Sequence, residues 1–523
     1  MTERDVVRID AGELRGRWRN GVWCFAGIPY GSPPEGNRRW RPPAPVEPWS
    51  GVRDALTFAP VCPQPNGINE VLGGVPEVSS EDCLYLNVWT PGLDESARPV
   101  MVWIHGGSFV TGSGSNGLYR AHRLAQSGDV VVVTINYRLG LFGFLSHPML
   151  ADPGQVDADG NPWPGDGNWG LADQVAALRW VQANIAAFGG DPDNVTLFGE
   201  SAGGMSVAAL LGAPAAEGLF HKAIVQSGPP MTQSREDAAE QAARAGEALD
   251  IPMERHAWEE IAPERLVEVA QSLAADASYR DTLFVKPVVD GWFLPKDPLV
   301  AVGQGAAARV PVLIGTTRDE WSLFALGSSG QLDEEKLLRN VGRMFPAPGA
   351  ARRIVDAFRQ SRQARGEPTE PQDLLVAVAT EHIFRQPSYH FADNHRKTAE
   401  SGVGTWVYYF TWESPAFGGA LGSCHALEIP FVFGTVHHEV VQNFSGGGSG
   451  ALALSNAMQQ LWTGFARHGI PQWEDATSGP LALAPWSDER PVSVLGPWPG
   501  AEGPVHDVVD PRGGEVVVIE EYR

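Results

Sequence analysis

A serine flanked by glycines is the residue in this chain best placed for covalent chemistry. Ser201 stands in Gly-Glu-Ser-Ala-Gly. The apolar run from Val195 to Phe198 predicts a strand before it, and the small residues from Met205 to Leu211 predict a helix after it. A serine on a sharp strand-to-helix turn projects its hydroxyl, and the helix N-terminus favours negative charge nearby. We therefore predict a nucleophile at Ser201; a Gly-rich surface turn is the alternative for the five residues alone.

A serine nucleophile needs a histidine base and a carboxylate that orients the imidazole. Downstream of Ser201, Asp319 and Glu320 follow a predicted strand and are the acid candidates. The pattern favours His425 as the base, because it lies on a loop after a late predicted strand. The full set of base candidates is His221, His256, His382, His390, His395, His425, His437, His438, His468 and His506.

A second glycine pair supports the same chemistry. The predicted strand from Val100 to Ile104 leads directly into His105-Gly106-Gly107. Glycines after a buried strand leave backbone N–H groups unshielded, which an oxyanion hole requires. An ordinary turn at a strand end is the alternative, and the presence of a serine elbow downstream favours the oxyanion loop.

The elements around these residues alternate between strand and helix. Helical spacing of Val175, Leu178, Val181 and Ile185 predicts a helix that stops at Gly189-Gly190. This order is typical of a mostly parallel sheet covered by helices. We predict helical insertions at about 232–300 and 333–400, a flexible loop at 440–450 and a helix over 452–468. The remaining predicted strands are Leu84–Trp89, Val130–Ile135, Ala223–Gln226, Val310–Ile314, Thr405–Trp412 and Glu515–Ile519.

Composition narrows the possible partners and the location. The chain has 523 residues, 43% of them hydrophobic, and a net charge of −23, which argues against binding to nucleic acid or to anionic membranes. No apolar run approaches the about 18 residues of a membrane helix. The charged N-terminus has no apolar stretch behind it, so we expect no signal peptide and a cytoplasmic protein.

Four cysteines are too few for a disulfide framework in a chain of this length. Cys62 and Cys83 could close a loop, although a reducing cytosol would disfavour the bond. His437-His438-Glu439 lacks the i, i+4 histidine spacing that places two ligands on one helix face. With no Cys/His cluster and no phosphate-binding glycine loop, we predict neither a metal nor a cofactor.

The chain resembles the type-B carboxylesterases, a family that includes cholinesterases and bacterial para-nitrobenzyl esterases. The resemblance covers nearly the whole chain, and the bacterial para-nitrobenzyl esterases look most similar. Its landmarks are Phe25-Ala26-Gly27-Ile28-Pro29-Tyr30, Ser80-Glu81-Asp82-Cys83-Leu84-Tyr85-Leu86-Asn87, Trp103-Ile104-His105-Gly106-Gly107, Asn136-Tyr137-Arg138, 188–204, 315–320 and 425–434.

This resemblance implies an α/β-hydrolase fold, a mostly parallel central sheet flanked by helices, formed as one domain over 1–523. It implies a catalytic triad of Ser201, Glu320 and His425. It implies an oxyanion hole from the N–H groups of Gly106, Gly107 and Ala202, a role that Ser108 can share. It also implies two supporting residues, Glu200 near an active-site water network and Ser227 behind the site.

The resemblance further implies hydrolysis of a small-molecule carboxylic ester through an acyl-enzyme, by a monomer or weak homo-oligomer. Carbamate or amide hydrolysis by the same residues is an alternative. A non-catalytic interaction protein of the same fold is disfavoured, because all three triad residues are present. Ser108 and Trp321 depart from the family pattern and can reshape the acyl pocket. Cys424, beside the base, is expected to be packed and inert; thiol sensitivity is the alternative.

Overall fold

The computed structural model describes residues 5–65, 78–152, 154–157, 160, 162–275, 283–326, 332–475 and 479–522. Its strands are β1 (Val6–Ile9), β2 (Gly12–Arg15), β3 (Arg17–Arg19), β4 (Val22–Pro29), β5 (Val52–Asp54), β6 (Tyr85–Thr90), β7 (Arg98–Ile104), β8 (Val131–Ile135), β9 (Gly190–Glu200), β10 (Lys222–Gln226), β11 (Val312–Thr317), β12 (Thr405–Phe410), β13 (Gln472–Asp475), β14 (Gly479–Ala482), β15 (Pro491–Leu495) and β16 (Val505–Val509). Its α-helices are α1 (His122–Gly128), α2 (Gly140–Phe144), α3 (Trp169–Asn184), α4 (Ala202–Leu211), α5 (Arg235–Leu249), α6 (Arg255–Glu259), α7 (Pro263–Ala274), α8 (Pro298–Gly303), α9 (Ser322–Ala325), α10 (Glu334–Met344), α11 (Ala350–Ala364), α12 (Pro371–Ala379), α13 (Gln386–Thr398), α14 (Ile429–Phe433), α15 (Glu439–Ser445), α16 (Gly448–His468) and α17 (Gly513–Glu520).

One large sheet runs through the molecule. Within the described residues it has eleven strands in the order β16-β15-β12-β11-β10-β9-β7-β8-β6-β4-β3. The pairings from β8 through β7, β9, β10, β11 and β12 to β15 are parallel. The pairings at both edges are antiparallel. The predicted mostly parallel sheet is confirmed, and its parallel centre brings the carboxyl ends of β7, β9, β10 and β11 to one edge, where parallel α/β sheets place their sites.

The central strands are buried on both faces. Along β7, Val102 and Ile104 pack into one core while Met101 and Trp103 pack into the other. The alternation follows from the two-residue period of a strand. Continuous apolar runs therefore form these strands, because neither face of the sheet meets water.

The two insertions are largely helical. The first contains α5, α6 and α7, although residues 276–282 of its predicted range lie outside the described residues. The second contains α10 to α13, with a π-helical segment at Thr380–Arg385. Leu337, Ile354, Phe358 and Leu374 form a separate apolar cluster of the second insertion.

The prediction of a last strand at Glu515–Ile519 is wrong, because this segment lies in helix α17. Glu515 and Ile519 are four residues apart and so share one helix face. Glu515 pairs with Arg365, the residue that follows α11, and Ile519 is buried in the apolar cluster of the second insertion. These tertiary contacts outweigh the strand preference of the valine run.

The prediction of a flexible loop at 440–450 is also wrong. Helix α15 covers most of this range, and α16 begins at Gly448. Trp412 donates from Nε1 to the Ser445 carbonyl at 2.9 Å, and Ser414 donates to the Phe444 carbonyl at 2.6 Å. The end of α15 is therefore anchored to the chain beyond β12.

All four cysteines are free thiols and buried. Cys62 and Cys83 are among these free thiols, so no disulfide joins them, which answers the question that the sequence left open. None of the helices in the described ranges combines the length and apolar character needed to cross a bilayer.

Candidate active site

Ser201 lies at the apex of a tight turn between β9 and α4. Its φ and ψ are 56° and −125°, a strained conformation for a residue with a side chain. The flanking glycines make the turn possible: a Cβ on Gly199 would lie 2.7 Å from the Ile104 carbonyl oxygen, and one on Gly203 would lie 2.9 Å from the His105 carbonyl oxygen. The elbow predicted from the pentapeptide is confirmed.

Glu320 and His425 meet at the carboxyl end of the sheet. His425 Nδ1 donates to Glu320 Oε2 at 2.6 Å, and both side chains are buried. The other carboxylate oxygen, Oε1, accepts from the Thr317 N–H at 2.7 Å. Glu320 is thus oriented by the end of β11 and in turn fixes the tautomer of the imidazole, leaving Nε2 to face the rest of the site.

Asp319, the other acid candidate, has a different task. Its N–H donates to the Ser423 carbonyl at 2.9 Å, and its Oδ2 accepts from the Ser423 N–H at 2.9 Å. The same carboxylate pairs with Arg318 at 2.8 Å. Asp319 therefore ties the loop that carries His425 to the end of β11.

The second ring nitrogen of His425 lies beside Glu200 and the elbow. His425 Nε2 is 3.0 Å from Glu200 Oε1. Within the part of the chain that the structure describes, neither atom has a partner with hydrogen-bond alignment. A Cβ on Gly106 would lie 2.9 Å from Ser201 Cβ and 2.8 Å from Glu200 Oε2, so the glycine loop after β7, the elbow and Glu200 form one cluster. Catalytic hydrogen bonds without substrate are often poorly aligned.

Glu428 is a buried acid that the sequence analysis did not select. Gln226 donates from Nε2 to Glu428 Oε1 at 3.0 Å, and Trp462 donates to Gln226 Oε1 at 2.9 Å. The one signal in the sequence was its position three residues after His425, where an acid can share the histidine's environment. Three glutamates, Glu200, Glu320 and Glu428, thus surround a single imidazole.

These charges set the proton affinities of the site. Burial disfavours the imidazolium, but the negative charges of Glu200 and Glu320 outweigh it and raise the pKa of His425 to about 9. Burial, assisted by Glu428 and Glu320, raises the pKa of Glu200 to about 8. Burial and the charge of Glu320 raise the pKa of Glu428 to about 7.

The oxyanion candidates lie around Ser201. Ala202 is the first residue of α4, so its N–H has no carbonyl acceptor within the helix. Gly107 has a φ of 114°, and its carbonyl accepts from the N–H groups of Val110 and Thr111 at 3.0 Å. The N–H groups of Gly106, Gly107 and Ala202 donate to no protein oxygen among the described residues.

An aromatic wall faces the imidazole. The ring centroids of Phe324 and Phe384 lie 5.2 Å and 5.1 Å from that of His425, and Trp321 packs on Phe324 at 5.0 Å. Phe324 is 41% exposed although it lies against a buried histidine. Phe324 therefore presents an exposed apolar face beside the buried imidazole.

Several predicted candidates lie elsewhere in the fold or behind the elbow. His395 is buried and hydrogen-bonds through Nδ1 with Thr405 Oγ1 at 2.7 Å. Ser227 is fully buried at the end of β10, where its N–H donates to the Gly315 carbonyl at 2.8 Å. Burial and the charge of Glu320 raise the pKa of the Cys424 thiol, which favours an inert, packed cysteine over a thiol-sensitive one.

A serine elbow at the carboxyl edge of this sheet, followed in the chain by an acid and a histidine, defines an α/β-hydrolase. The model of the carboxylesterase family matches residues 3–492, and the chain belongs to that family. It is therefore a serine hydrolase that acts on carboxylic esters.

The proteins similar to this chain match most of its length. The para-nitrobenzyl esterase of Bacillus subtilis (strain 168) is 39% identical over 473 residues, 90% of this chain and 91% of that protein. The phenmedipham hydrolase of Pseudarthrobacter oxydans is 35% identical over 95% of this chain and 96% of its own. The solved structure of a thermophilic PNB esterase matches with a TM-score of 0.84 and 36% identity, covering 99% of this chain and all of that one.

Proposed function

We propose that Ser201, Glu320 and His425 form the catalytic triad of this esterase. The observation that carries the proposal is the 2.6 Å hydrogen bond from His425 Nδ1 to Glu320 Oε2 beside the strained Ser201 elbow. That bond holds the imidazole in the tautomer whose Nε2 can accept the serine proton. Glu320 is the orienting acid, and Asp319 positions the loop.

In this proposal, His425 Nε2 removes the Ser201 proton as Oγ attacks the ester carbonyl carbon. The N–H groups of Gly106, Gly107 and Ala202 donate to the oxyanion that forms, which stabilises the tetrahedral intermediate. The imidazolium then protonates the leaving alcohol, and an acyl-enzyme remains on Ser201. A water molecule, deprotonated by His425, attacks the acyl carbon and releases the acid.

Glu200 and Ser227 act through other groups in this proposal. Glu200 is 3.0 Å from His425 Nε2, so its charge sets how readily the imidazole keeps a proton. The Ser227 hydroxyl is buried and, among the described residues, lacks a hydrogen-bond partner, so it can bind an ordered water behind the elbow.

Replacement of the nucleophile tests the triad. We expect Ser201→Ala to lower kcat by about 10⁶, as loss of the nucleophile does in comparable triads. The exposed Ser96→Ala is the matched control and should keep full activity. An organophosphate should label wild-type protein on the peptide that contains Ser201. More than a few per cent of turnover in Ser201→Ala would reject the assignment.

For the substrate, we propose a small-molecule ester with an apolar group that packs against the Phe324 wall. The first compounds to assay are a para-nitrobenzyl ester and phenmedipham, because relatives carry those names. A matched ester, amide and carbamate of one aryl group would then separate the scissile bonds. We expect the ester to give the highest kcat/KM; a faster amide or carbamate would favour the alternative function.

We also propose that the chain is one domain, a monomer or weak homo-oligomer, and located in the cytoplasm. The family match over nearly the full length supports one domain. One calorimetric unfolding transition is expected, and two separate transitions would contradict it. Light scattering after size exclusion measures the oligomeric state, and cell fractionation measures the location.

A further inference from the structure

Three histidines from distant parts of the chain meet at the surface, outside the candidate active site. His122 is the first residue of α1, and His437 and His438 follow α14. One ring nitrogen from each lies within 4.8 Å of the other two. We propose that His122, His437 and His438, the three-histidine site, bind a divalent transition-metal ion of the Zn²⁺ type.

The local backbone directs the two neighbouring imidazoles to one side. His437 ends a 3₁₀ turn, while His438 is extended with φ −76° and ψ 128°. The rings of these two residues come together with centroids 4.0 Å apart. The His122 ring centroid lies 6.4 Å and 6.1 Å from theirs. The three imidazoles therefore come together without the helical i, i+4 spacing of two histidines, which the sequence lacks.

A hydrogen bond already selects the ligand atom of one imidazole. His437 Nδ1 donates to the Gly434 carbonyl at 2.8 Å, which leaves the Nε2 lone pair free. Metal-binding histidines commonly donate their other ring N–H to a carbonyl in this way. Gly434 has a φ of 69°, and a Cβ there would lie 2.8 Å from Gln459 Oε1. Both the backbone conformation and the lack of space favour glycine at this position.

The framework around the site is anchored. Thr435 donates to the Leu118 carbonyl at 2.7 Å, and Ser127 of α1 donates to Gln459 Oε1 of α16 at 3.0 Å. Both histidine-bearing segments are thus fixed to neighbouring elements. A cavity of about 640 Å³ lies over the histidines, with Asn20, Gln126 and Asn456 also in its lining. It leaves room for an ion and its water.

The ligand atoms of the site decide which ion fits. The positive charges of Arg19, Arg120 and Arg123 act on these imidazoles, so an ion here must be held by ligand bonds to nitrogen and not by Coulomb attraction. Imidazole nitrogen suits Zn²⁺, Ni²⁺ and Cu²⁺, whereas Mg²⁺ and Ca²⁺ prefer oxygen. Tetrahedral Zn–N bonds of about 2.0–2.1 Å need the nitrogens to approach by small side-chain rotations, and water completes the coordination.

Equilibrium binding of Zn²⁺ to the full chain tests the site. We expect wild-type protein at pH 8, where imidazoles are neutral, to bind one Zn²⁺ by calorimetry and to retain it in elemental analysis after dialysis. Single variants His122→Ala and His438→Ala should bind at least about tenfold more weakly. His256→Ala, whose side chain is 74% exposed on α6, is the control and should bind like wild type.

A second measurement separates metal loss from misfolding. Zn²⁺ should raise the melting temperature of wild-type protein and leave that of His438→Ala unchanged, with both apo proteins melting alike. His438 is exposed, so its replacement spares the core. The proposal would be overturned if wild type bound no Zn²⁺. It would also be overturned if His122→Ala and His438→Ala both bound Zn²⁺ as tightly as wild type. Equal binding of Mg²⁺ would likewise overturn it, since three imidazoles do not select that ion.

Discussion

Glu320 and His425 are 105 residues apart in the chain, yet their side chains are joined by a buried 2.6 Å hydrogen bond. The bond fixes which ring nitrogen carries the proton before any substrate arrives. The acid is itself held by the Thr317 N–H, so the pair is preorganised by the end of β11 rather than by the substrate.

We expect Glu320→Gln to lower kcat by about 10³ to 10⁴, because the amide neither stabilises the imidazolium nor selects the correct tautomer. Steady-state kinetics on a nitrophenyl ester measure the effect. Glu335→Gln on α10, with an 86% exposed side chain, is the control. A loss of less than tenfold in Glu320→Gln would move the acid role to another residue.

Glu200→Gln should change the pH dependence of kcat/KM. The Glu200 charge raises the pKa of His425, so its removal lowers that pKa. The reaction needs neutral imidazole, and the acidic limb of the profile should therefore move to lower pH. The exposed Glu217→Gln should leave the limb in place. An unmoved limb, or a shift to higher pH, would show that Glu200 does not act through His425.

Phe324→Ala should raise KM for aryl esters about 5- to 30-fold with little change in kcat. An apolar wall stabilises the bound substrate and the transition state about equally, and its loss removes roughly 1–2 kcal/mol. Initial-rate kinetics with an aryl and a methyl ester measure this. Trp18→Ala, on edge strand β3 and 53% exposed, is the aromatic control. Equal KM values for wild type and Phe324→Ala would place the substrate elsewhere.

Asp173→Asn should destabilise the fold by about 3–5 kcal/mol in urea unfolding. Arg138 donates hydrogen bonds to the Asp173 carboxylate from Nη2 at 2.6 Å and from Nε at 2.7 Å, and both side chains are buried. Removing one charge leaves the other buried without its partner. The exposed ion pair of Arg265 and Glu268 is the control. Glu268→Gln should change the free energy of unfolding very little, because exposed ion pairs stabilise the fold weakly. A loss below about 1 kcal/mol in Asp173→Asn would contradict this reasoning.

Much of the site could be predicted because its signals are local. The elbow needs glycines at fixed offsets from Ser201, and the close approaches of Gly199 and Gly203 to neighbouring backbone explain that need. Apolar runs identified the central strands because both faces of those strands are buried. The proposed base and the proposed acid depended on resemblance, since spacing alone left ten histidines and two carboxylates open.

Other features depended on distant contacts. The valine run near the C-terminus has strand character in isolation, but Arg365 and the second insertion hold it as α17. Glu428 and the three-histidine site gave little or no signal, because their neighbours come from remote segments.

The sequence by itself determined the serine elbow, the alternation of strands and helices, and the glycines that allow close backbone contact, because these are short-range steric requirements. Only the tertiary structure decided which acid orients His425, how three buried carboxylates set its proton affinity, and that His122 meets His437 and His438. Those outcomes depend on Coulomb interactions and packing between segments that only the folded sheet brings together.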